Sequence, residues 1–349
     1  MEVRVSLICI VAMLAMAGAA CNQTTGSNRF GAASIPSPSA TPTAAATPTG
    51  PPTSDTSGTD SRFTITSTLC SDKQGPNCTI LRLGDDFLTT TEPESGYLYS
   101  CSGGNPNAPG STESKITWID FAEKTWDFFA KLWLPSGTFD PGPGTYEEVT
   151  SGDQRSITIN NLPVDGMIGD WPMTNYPELT DIDPNPGIPA PDKLSFNYPI
   201  SPTQASSPSC LPLGAIGVTT NGVVIYNASD ARGEDAVAHE IVDALGGHPG
   251  RSEYHYHFIP DRLDNKFSSD GHSGIVGYIN DGFPLHGYQG EQGIEMSNAD
   301  LDLCHGHSHS GLGYHYHATI EYPYTVGCYK GSPVASSGVP VAGMMRPIR

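Results

Sequence analysis

The sequence predicts a mostly β fold, a β-rich α+β domain built from two related halves. Thirty-nine glycines and thirty-one prolines leave little room for long helices, so short strands separated by turns are expected. Two hairpin signals of type I′, Asn221-Gly222 and Asp281-Gly282, follow apolar runs. The halves are related because landmarks of the first recur 59 or 60 residues later in the second.

Each half is predicted to contain a hairpin, a helix and a final strand with the sequence Tyr-His-Tyr-His. The two pseudo-symmetric repeats span about residues 213–260 and 274–320. The first helix is predicted over residues 233–245, where apolar residues share one face and two glycines follow. Its counterpart over residues 296–303 is shorter. An N-terminal β region is expected to precede both repeats.

The N-terminal residues resemble an export signal followed by a tether. Residues 1–20 are predicted to be a signal peptide, because their apolar run is too short to span a membrane. Small residues lead to Cys21 in a lipobox-like pattern, so Cys21 is the candidate for lipidation; ordinary signal-peptidase cleavage is the alternative. Residues 21–60, rich in Thr, Pro, Ser and Ala, predict a disordered tether. Residues 61–94 form an N-terminal extension.

These features predict an exported protein, either a lipoprotein of the cell envelope or a secreted one. Membrane contact is expected only through the N-terminal lipid. The net charge of −20 argues against nucleic acid as a partner but suits a metal cation. The sequence does not identify a protein partner. Of the eight cysteines, six lie outside the signal and the cleavage site. An even number favours disulfides in an oxidising compartment, with their connectivity left open.

All eleven histidines lie between His239 and His317. In a strand, successive side chains point to opposite faces, so the two histidines of each Tyr-His-Tyr-His share one face and the tyrosines the other. A third histidine comes from the turn before. The predicted metal ligands are therefore two sets of three, which could form two sites or one shared site: His248, His255 and His257, and His307, His315 and His317.

Neutral imidazole favours copper or zinc, with iron as a further option. Asp243 and Asp302 are predicted to accept hydrogen bonds from the ligating histidines, as carboxylates beside metal sites commonly do. His305 and His309 are candidate additional ligands, because the run over residues 304–309 could bind copper alone. His239 and His272 are expected to have no part in the site. His286 has a weaker claim than the six predicted ligands, because its counterpart in the first repeat is Tyr226 and a shared role for the pair is not expected.

Two alternatives to metal binding fit the same residues. Histidines beside tyrosines can form a buried hydrogen-bond network without an ion, as in a cell-surface interaction module with structural histidines. Histidine can also act as a general acid or base oriented by Asp. A separate hypothesis, which retains the metal, is an extracytoplasmic metal-assisted hydrolase or oxidase. Whether the chain is an enzyme is left open. The common metalloprotease motif is incomplete, because His239-Glu240 lacks its second histidine.

A series of motifs over roughly residues 95–332 matches a known pattern. In chain order these are Ile216-Gly217-Val218, Asn221-Gly222-Val223, Ala238-His239-Glu240, Gly246-Gly247-His248-Pro249, the first Tyr-His-Tyr-His, Gly277-Tyr278, Asp281-Gly282-Phe283-Pro284, Leu301-Asp302, Cys304-His305-Gly306-His307, the second Tyr-His-Tyr-His, and Tyr322 to Cys328. The sequence thereby resembles the YHYH family of exported proteins, whose biochemical role is not established.

The resemblance also bears on the domain bounds and the cysteines. It implies a YHYH domain over residues 95–332 and a C-terminal tail over residues 333–349. Two cysteines frequent in the family are absent here, at Leu245 and near Arg262. The pair in the second repeat is retained, so the resemblance implies a Cys304–Cys328 disulfide. Cys101 and Cys210 are the second candidate pair.

Overall fold

The computed structural model describes residues 80–309 and 311–334. The predicted signal peptide, the tether with Cys21, the first part of the N-terminal extension and nearly all of the C-terminal tail lie outside these residues. Among the described residues, none of the helices has the length and hydrophobicity to cross a membrane.

The described residues are mostly β, as predicted. The strands are β1 Ile80–Arg82, β2 Leu88–Thr89, β3 Leu98–Tyr99, β4 Ile119–Asp120, β5 Thr125–Asp127, β6 Tyr146–Ser151, β7 Gln154–Ile159, β8 Leu194–Pro199, β9 Gln204–Ser209, β10 Ala215–Thr219, β11 Val224–Tyr226, β12 Gly247–Gly250, β13 Glu253–Tyr256, β14 Ile275–Ile279, β15 Pro284–His286, β16 Gly306–His309, β17 Gly313–His317 and β18 Tyr329–Gly331. The α-helices are α1 Pro177–Thr180 and α2 Ala236–His239. Short 3-10 turns add little helix, so turns and loops connect most strands.

An eight-stranded sheet contains both Tyr-His-Tyr-His strands. Its order is β12-β13-β11-β10-β14-β15-β17-β16. From the central antiparallel pair β10–β14, each side continues with an antiparallel, a parallel and an antiparallel pairing. Strand order and direction therefore read the same from either edge. The duplication itself stays a prediction from the sequence.

The two hairpins at the centre of the sheet differ from the predicted type I′ turns. That turn needs positive φ at both central residues, whereas here only the glycines are left-handed, with φ of 81° at Gly222 and 89° at Gly282. The Gly222 amide donates to Thr219 and the Gly282 amide to Ile279, at 3.1 and 2.8 Å. Each loop is therefore three residues long and ends in a left-handed glycine.

The predicted helices are wrong in length and number. Only four residues of the first form a helix, α2, where the Asp235 side chain accepts from the Ala238 amide. The helix stops there because the next free amide, that of Ile241, donates to the buried carboxylate of Asp183 at 2.8 Å. No helix forms over residues 296–303, where Asp300 instead accepts from the amide and hydroxyl of Ser297.

The core lies on both faces of the eight-stranded sheet. On one face, the sheet β6-β7-β8 packs Ile157, Phe196 and Tyr198 against Val218 and Val224. On the other face, a larger cluster contains the tyrosines of β13 and β17. It also contains three buried tryptophans from the N-terminal region, Trp118, Trp126 and Trp133. Burial of this apolar surface on both sides fixes the register of the sheet.

Two disulfides join distant parts of the chain. Cys304–Cys328, implied by the family resemblance, is present and links residues 24 apart. Cys101–Cys210, the second candidate pair, is also present and spans 109 residues.

The disulfide that closes the longer loop should contribute more stability. Loop-closure entropy predicts losses of about 4.8 kcal/mol for Cys101→Ala with Cys210→Ala and about 3.4 kcal/mol for Cys304→Ala with Cys328→Ala. Urea unfolding of the two double variants measures both values. A larger loss at the shorter loop would mean that packing around the buried Cys304, rather than chain entropy, dominates.

Candidate metal centres

The first group of histidines lies on the strand pair β12–β13. His248 faces His255 across the pair, and His257 follows directly after β13. The Nε2 atoms of His255 and His257 are 3.1 Å apart, and those of His257 and His248 are 3.2 Å apart. All three rings are buried, while the tyrosines between them point into the core on the opposite face. Strand alternation thus brings three imidazoles to one point.

The second group repeats this arrangement on β16–β17 and adds a fourth ring. His307 faces His315 across the strand pair. The Nε2 atom of His307 lies 3.0 Å from that of His315 and 3.1 Å from that of His317. His272, from the loop before β14, places its Nε2 atom 3.1 Å from that of His315.

The histidines therefore form two separate groups that share no residue. Within each group the candidate ligand atoms lie within 4.8 Å of one another: His248, His255 and His257 in the first centre, and His272, His307, His315 and His317 in the second. Five strand steps separate β13 from β17, about 24 Å along the sheet at ~4.8 Å per step. A single shared site is thus excluded by the placement of the strands.

Backbone carbonyls fix the ring orientation in both centres. The Nδ1 atom of His255 lies 3.0 Å from the Glu253 oxygen, and that of His257 lies 2.5 Å from the Asn227 oxygen. Nδ1 atoms of the second centre contact carbonyls in the same way, for His272, His315 and His317. A carbonyl only accepts, so each of these Nδ1 atoms carries the proton and each Nε2 atom of a neutral ring presents a lone pair.

Burial keeps the rings of His257 and His315 neutral. It is the largest cause that lowers the pKa of His257 to about 4 and that of His315 to about 3. Neighbouring histidines lower the pKa of His315 further, because two positive rings would repel each other. The rings are thus in the form that binds metal at neutral pH.

The spacing of the lone pairs matches a coordination sphere. Four ligands on a tetrahedral zinc with Zn–N bonds of about 2.05 Å lie about 3.3 Å from one another. The measured separations of 3.0–3.2 Å are slightly shorter than that value. The ring nitrogens therefore need to move only slightly apart to accommodate an ion.

His272 was expected to have no part in the site. This expectation is wrong about its position, because the His272 ring lies in the second group of histidines. No signal in the sequence marked it, because it lies in a polar loop and the equivalent position of the first repeat holds Pro212. His286 also lies near the second centre, with its ring 4.4 Å from that of His315. Its Nδ1 contacts the Ser273 carbonyl oxygen at 2.7 Å, as the His272 Nδ1 does at 2.8 Å.

Three other histidines lie outside both groups. His305 is buried and its Nε2 contacts the Thr319 hydroxyl at 2.9 Å. The His309 Nε2 lies 3.5 Å from Asp270 and 3.6 Å from Glu291, with its ring 5.2 Å from that of His272. His239 lies 3.0 Å from Asp85. The run over residues 304–309 therefore does not bring its three histidines to one point.

The predicted partners of Asp243 and Asp302 need correction. Asp243 accepts from the Tyr254 hydroxyl at 2.7 Å, and Asp302 from the Tyr314 hydroxyl at 3.1 Å. Asp243 also accepts from four nitrogen donors: the amides of Gly169, Leu245 and Gly247 and the Trp171 indole. These carboxylates therefore hold tyrosines. The groups that accept hydrogen bonds from the histidines are backbone carbonyls, and not the two carboxylates that the sequence predicted.

We predict that stability of the metal-free protein depends on pH through these buried rings. Because the folded pKa values of His257 and His315 lie below the unfolded value of about 6.5, the unfolded chain binds more protons under pH 6.5. The contribution of the two neutral rings to the free energy of unfolding is complete above pH 6.5. Towards pH 4 it falls by about 1.4 kcal/mol per pH unit for each ring.

The measurement is urea unfolding at pH 7, 6 and 5 of two chelator-treated proteins: the wild type and the double variant that carries both His257→Gln and His315→Gln. The difference between variants is decisive, since Asp235, with its pKa raised to about 6 by burial, acts in the opposite sense. Parallel pH profiles would contradict the prediction.

We predict that Asp243→Asn weakens the fold far more than it weakens metal binding. The loss of a buried charged acceptor shared by Tyr254 and Gly169 should lower the free energy of unfolding by about 2–3 kcal/mol. An acid that orients a ligating ring would instead change metal affinity about 10–100-fold on removal. Unfolding and metal titration of the same variant separate the two roles, and a large loss of affinity in a stable variant would refute the tyrosine anchor.

Comparison with known proteins supports the family resemblance. Residues 195–295 match the family model described as YHYH protein. This segment contains the first centre, His272 and His286, and ends before the second Tyr-His-Tyr-His. No curated protein and no solved structure matches the chain. The similarity to the YHYH family therefore extends over residues 195–295 of the chain.

Proposed function

We propose that the chain binds two transition-metal ions, one at each histidine centre, with copper or zinc as the ion. The observation that carries the proposal is the facing of unprotonated nitrogens. His255 and His257 both use their Nδ1 protons on carbonyl oxygens, and their Nε2 atoms lie 3.1 Å apart. His272 and His315 repeat this relation in the second centre, also at 3.1 Å.

A purely structural hydrogen-bond network explains these pairs less well. A hydrogen bond between two nitrogens needs one proton between them, and a neutral imidazole has only one N–H to give. In both pairs that N–H is already committed to a backbone carbonyl. Two lone pairs that face each other in a buried site are unfavourable unless a cation lies between them. A metal ion meets this requirement at neutral pH.

The ligand set favours a particular class of ion. Imidazole nitrogen suits zinc, copper, iron and nickel, whereas magnesium and calcium prefer oxygen. Copper binds such sites most strongly in the first-row series, and zinc is a common ligand partner of imidazole in tetrahedral sites. The proposal covers metal binding alone; export and lipidation at Cys21 stay predictions from the sequence.

The proposal predicts two bound equivalents of Cu²⁺ or Zn²⁺ per chain. His257→Gln should remove one equivalent, His317→Gln the other, and the double variant both, as measured by titration calorimetry and metal content after desalting. An ion that binds only the folded state at 1,000 times its Kd should stabilise it by about 4 kcal/mol.

The matched control is His305→Gln, because His305 is an equally buried histidine outside both groups. It should retain both equivalents. Absence of binding by the wild type, together with a melting temperature unchanged by chelator, would refute the proposal and favour the structural module. Binding that survives the double variant would refute the site assignment.

A further inference from the structure

A carboxylate with one oxygen shielded from solvent, that of Glu240, lies against the first centre. The Oε2 atom of Glu240 is 3.2 Å from the His248 Nε2 and 3.7 Å from the His257 Nε2. This oxygen is shielded from solvent and accepts no hydrogen bond among the described residues. Although the distance to His248 is short, the pair therefore lacks hydrogen-bond geometry. A buried acceptor without a donor needs another positive partner.

We propose that Glu240 supplies the fourth ligand of the first centre. This inference rests on the proposed function. The first centre then consists of three imidazoles and a carboxylate, and the second consists of the four imidazoles of His272, His307, His315 and His317. The two centres of this nearly symmetric sheet are chemically different.

The distances favour a ligand over a proton acceptor behind a ligand. Neighbouring ligands of a tetrahedral ion lie about 3.3 Å apart, and an oxygen bound to zinc sits about 2.0–2.2 Å from the metal. The separations of 3.2 and 3.7 Å between Glu240 and two ring nitrogens bracket that spacing. Glu240 thus lies beside the Nε2 atoms of two of the three rings, and not behind a ring at its Nδ1 atom. Its oxygens do not share the separation of 4.8 Å or less that the ligand atoms of the three histidines have with one another, so its side chain must move towards the third ring for all four groups to bind one ion.

The backbone around Glu240 is held by side chains from distant parts of the chain. The Trp118 indole donates to the Ala238 carbonyl at 2.8 Å, and the Lys131 amine donates to the Glu240 carbonyl at 2.6 Å. The Ser111 hydroxyl binds the His239 carbonyl, and Asp183 accepts from the Ile241 amide. Four consecutive residues, 238–241, are therefore fixed before any ion binds. Such preorganisation is typical of a functional side chain.

Lys131 reinforces this arrangement. It is fully buried, and its amine lies 4.8 Å from the Trp118 ring and 5.2 Å from the Trp133 ring. It binds the main chain of Glu240 and leaves the carboxylate for the centre. Burying an amine is costly unless it has such partners, so this position is strongly specified.

The second centre obtains its fourth donor from elsewhere. His272 comes from the loop before β14, which has no histidine in the first repeat. Asp300 occupies the position of the second repeat that is equivalent to Glu240. Its carboxylate accepts hydrogen bonds from Ser297 instead. Asp270 and Glu291 lie near His309, not near the converging nitrogens.

The experiment uses the full chain with His317→Gln, which keeps the first centre alone, and adds Glu240→Gln to it. We expect Glu240→Gln to weaken Cu²⁺ and Zn²⁺ binding at least tenfold, in line with losses of about 10–100-fold at metal sites. In the His257→Gln background, which keeps the second centre alone, the same change should leave affinity unaltered.

The control is Glu234→Gln, six residues before Glu240. The Glu234 carboxylate pairs with the Arg232 guanidinium at 2.6 Å and belongs to neither histidine group. It should weaken binding far less than Glu240→Gln, although both changes replace a carboxyl group by an amide. Equal effects of the two variants would overturn the assignment, since they would indicate a general charge effect.

A second readout needs no substitution. Electron paramagnetic resonance of the wild type with two equivalents of Cu²⁺ should show two signals, one with four nitrogen ligands and one with three. A single four-nitrogen signal, or an unchanged affinity of Glu240→Gln beside a parent that binds, would overturn the role of Glu240 while leaving metal binding intact. A parent with no bound metal would overturn both proposals.

Discussion

The two-residue period of a β-strand is the constraint on which both centres depend. In β13 and β17 it sends tyrosines into the core and histidines to the other face. The tyrosines are then held at their hydroxyls. Tyr254 donates to Asp243, and Tyr316 donates to Asp281 at 2.6 Å. A slip of one residue would exchange the two faces, placing imidazoles in the core and phenols at the centres.

The tyrosine contacts tie each strand to two distant turns. The Asn221 side chain, in the first hairpin loop, donates from its Nδ2 atom to the Tyr256 hydroxyl at 3.3 Å, and Asp281 lies at the matching place in the second loop. Asp243 and Asp302 hold the other tyrosine of each strand. The polar residues repeated with the histidines in the sequence thus support the strands that carry the ligands, and the buried acceptors Asp243 and Asp281 make these supports specific.

The sequence was sufficient for what depends on short-range periodicity. Alternation placed the six histidines on one face of their strands, and the glycine and proline content predicted a mostly β chain. It was insufficient where tertiary contacts override local preference. The run over residues 233–245 has helical periodicity, yet Asp183 and Lys131, far away in sequence, take its backbone groups after residue 239. His272 and Glu240 reach the centres through such long-range packing, which a single sequence does not reveal.

The centres also lie where the sheet ends. His248 and His307 are on β12 and β16, the two edge strands of the eight-stranded sheet, while their partner histidines are on the next strands inward. Edge strands expose unpaired backbone groups that can recruit other chains. An ion bound by an edge strand and its neighbour would hold the two strands together at each edge of the sheet. The supply of metal would then determine how stably both edge strands pair, and with it the tendency of the folded chain to self-associate.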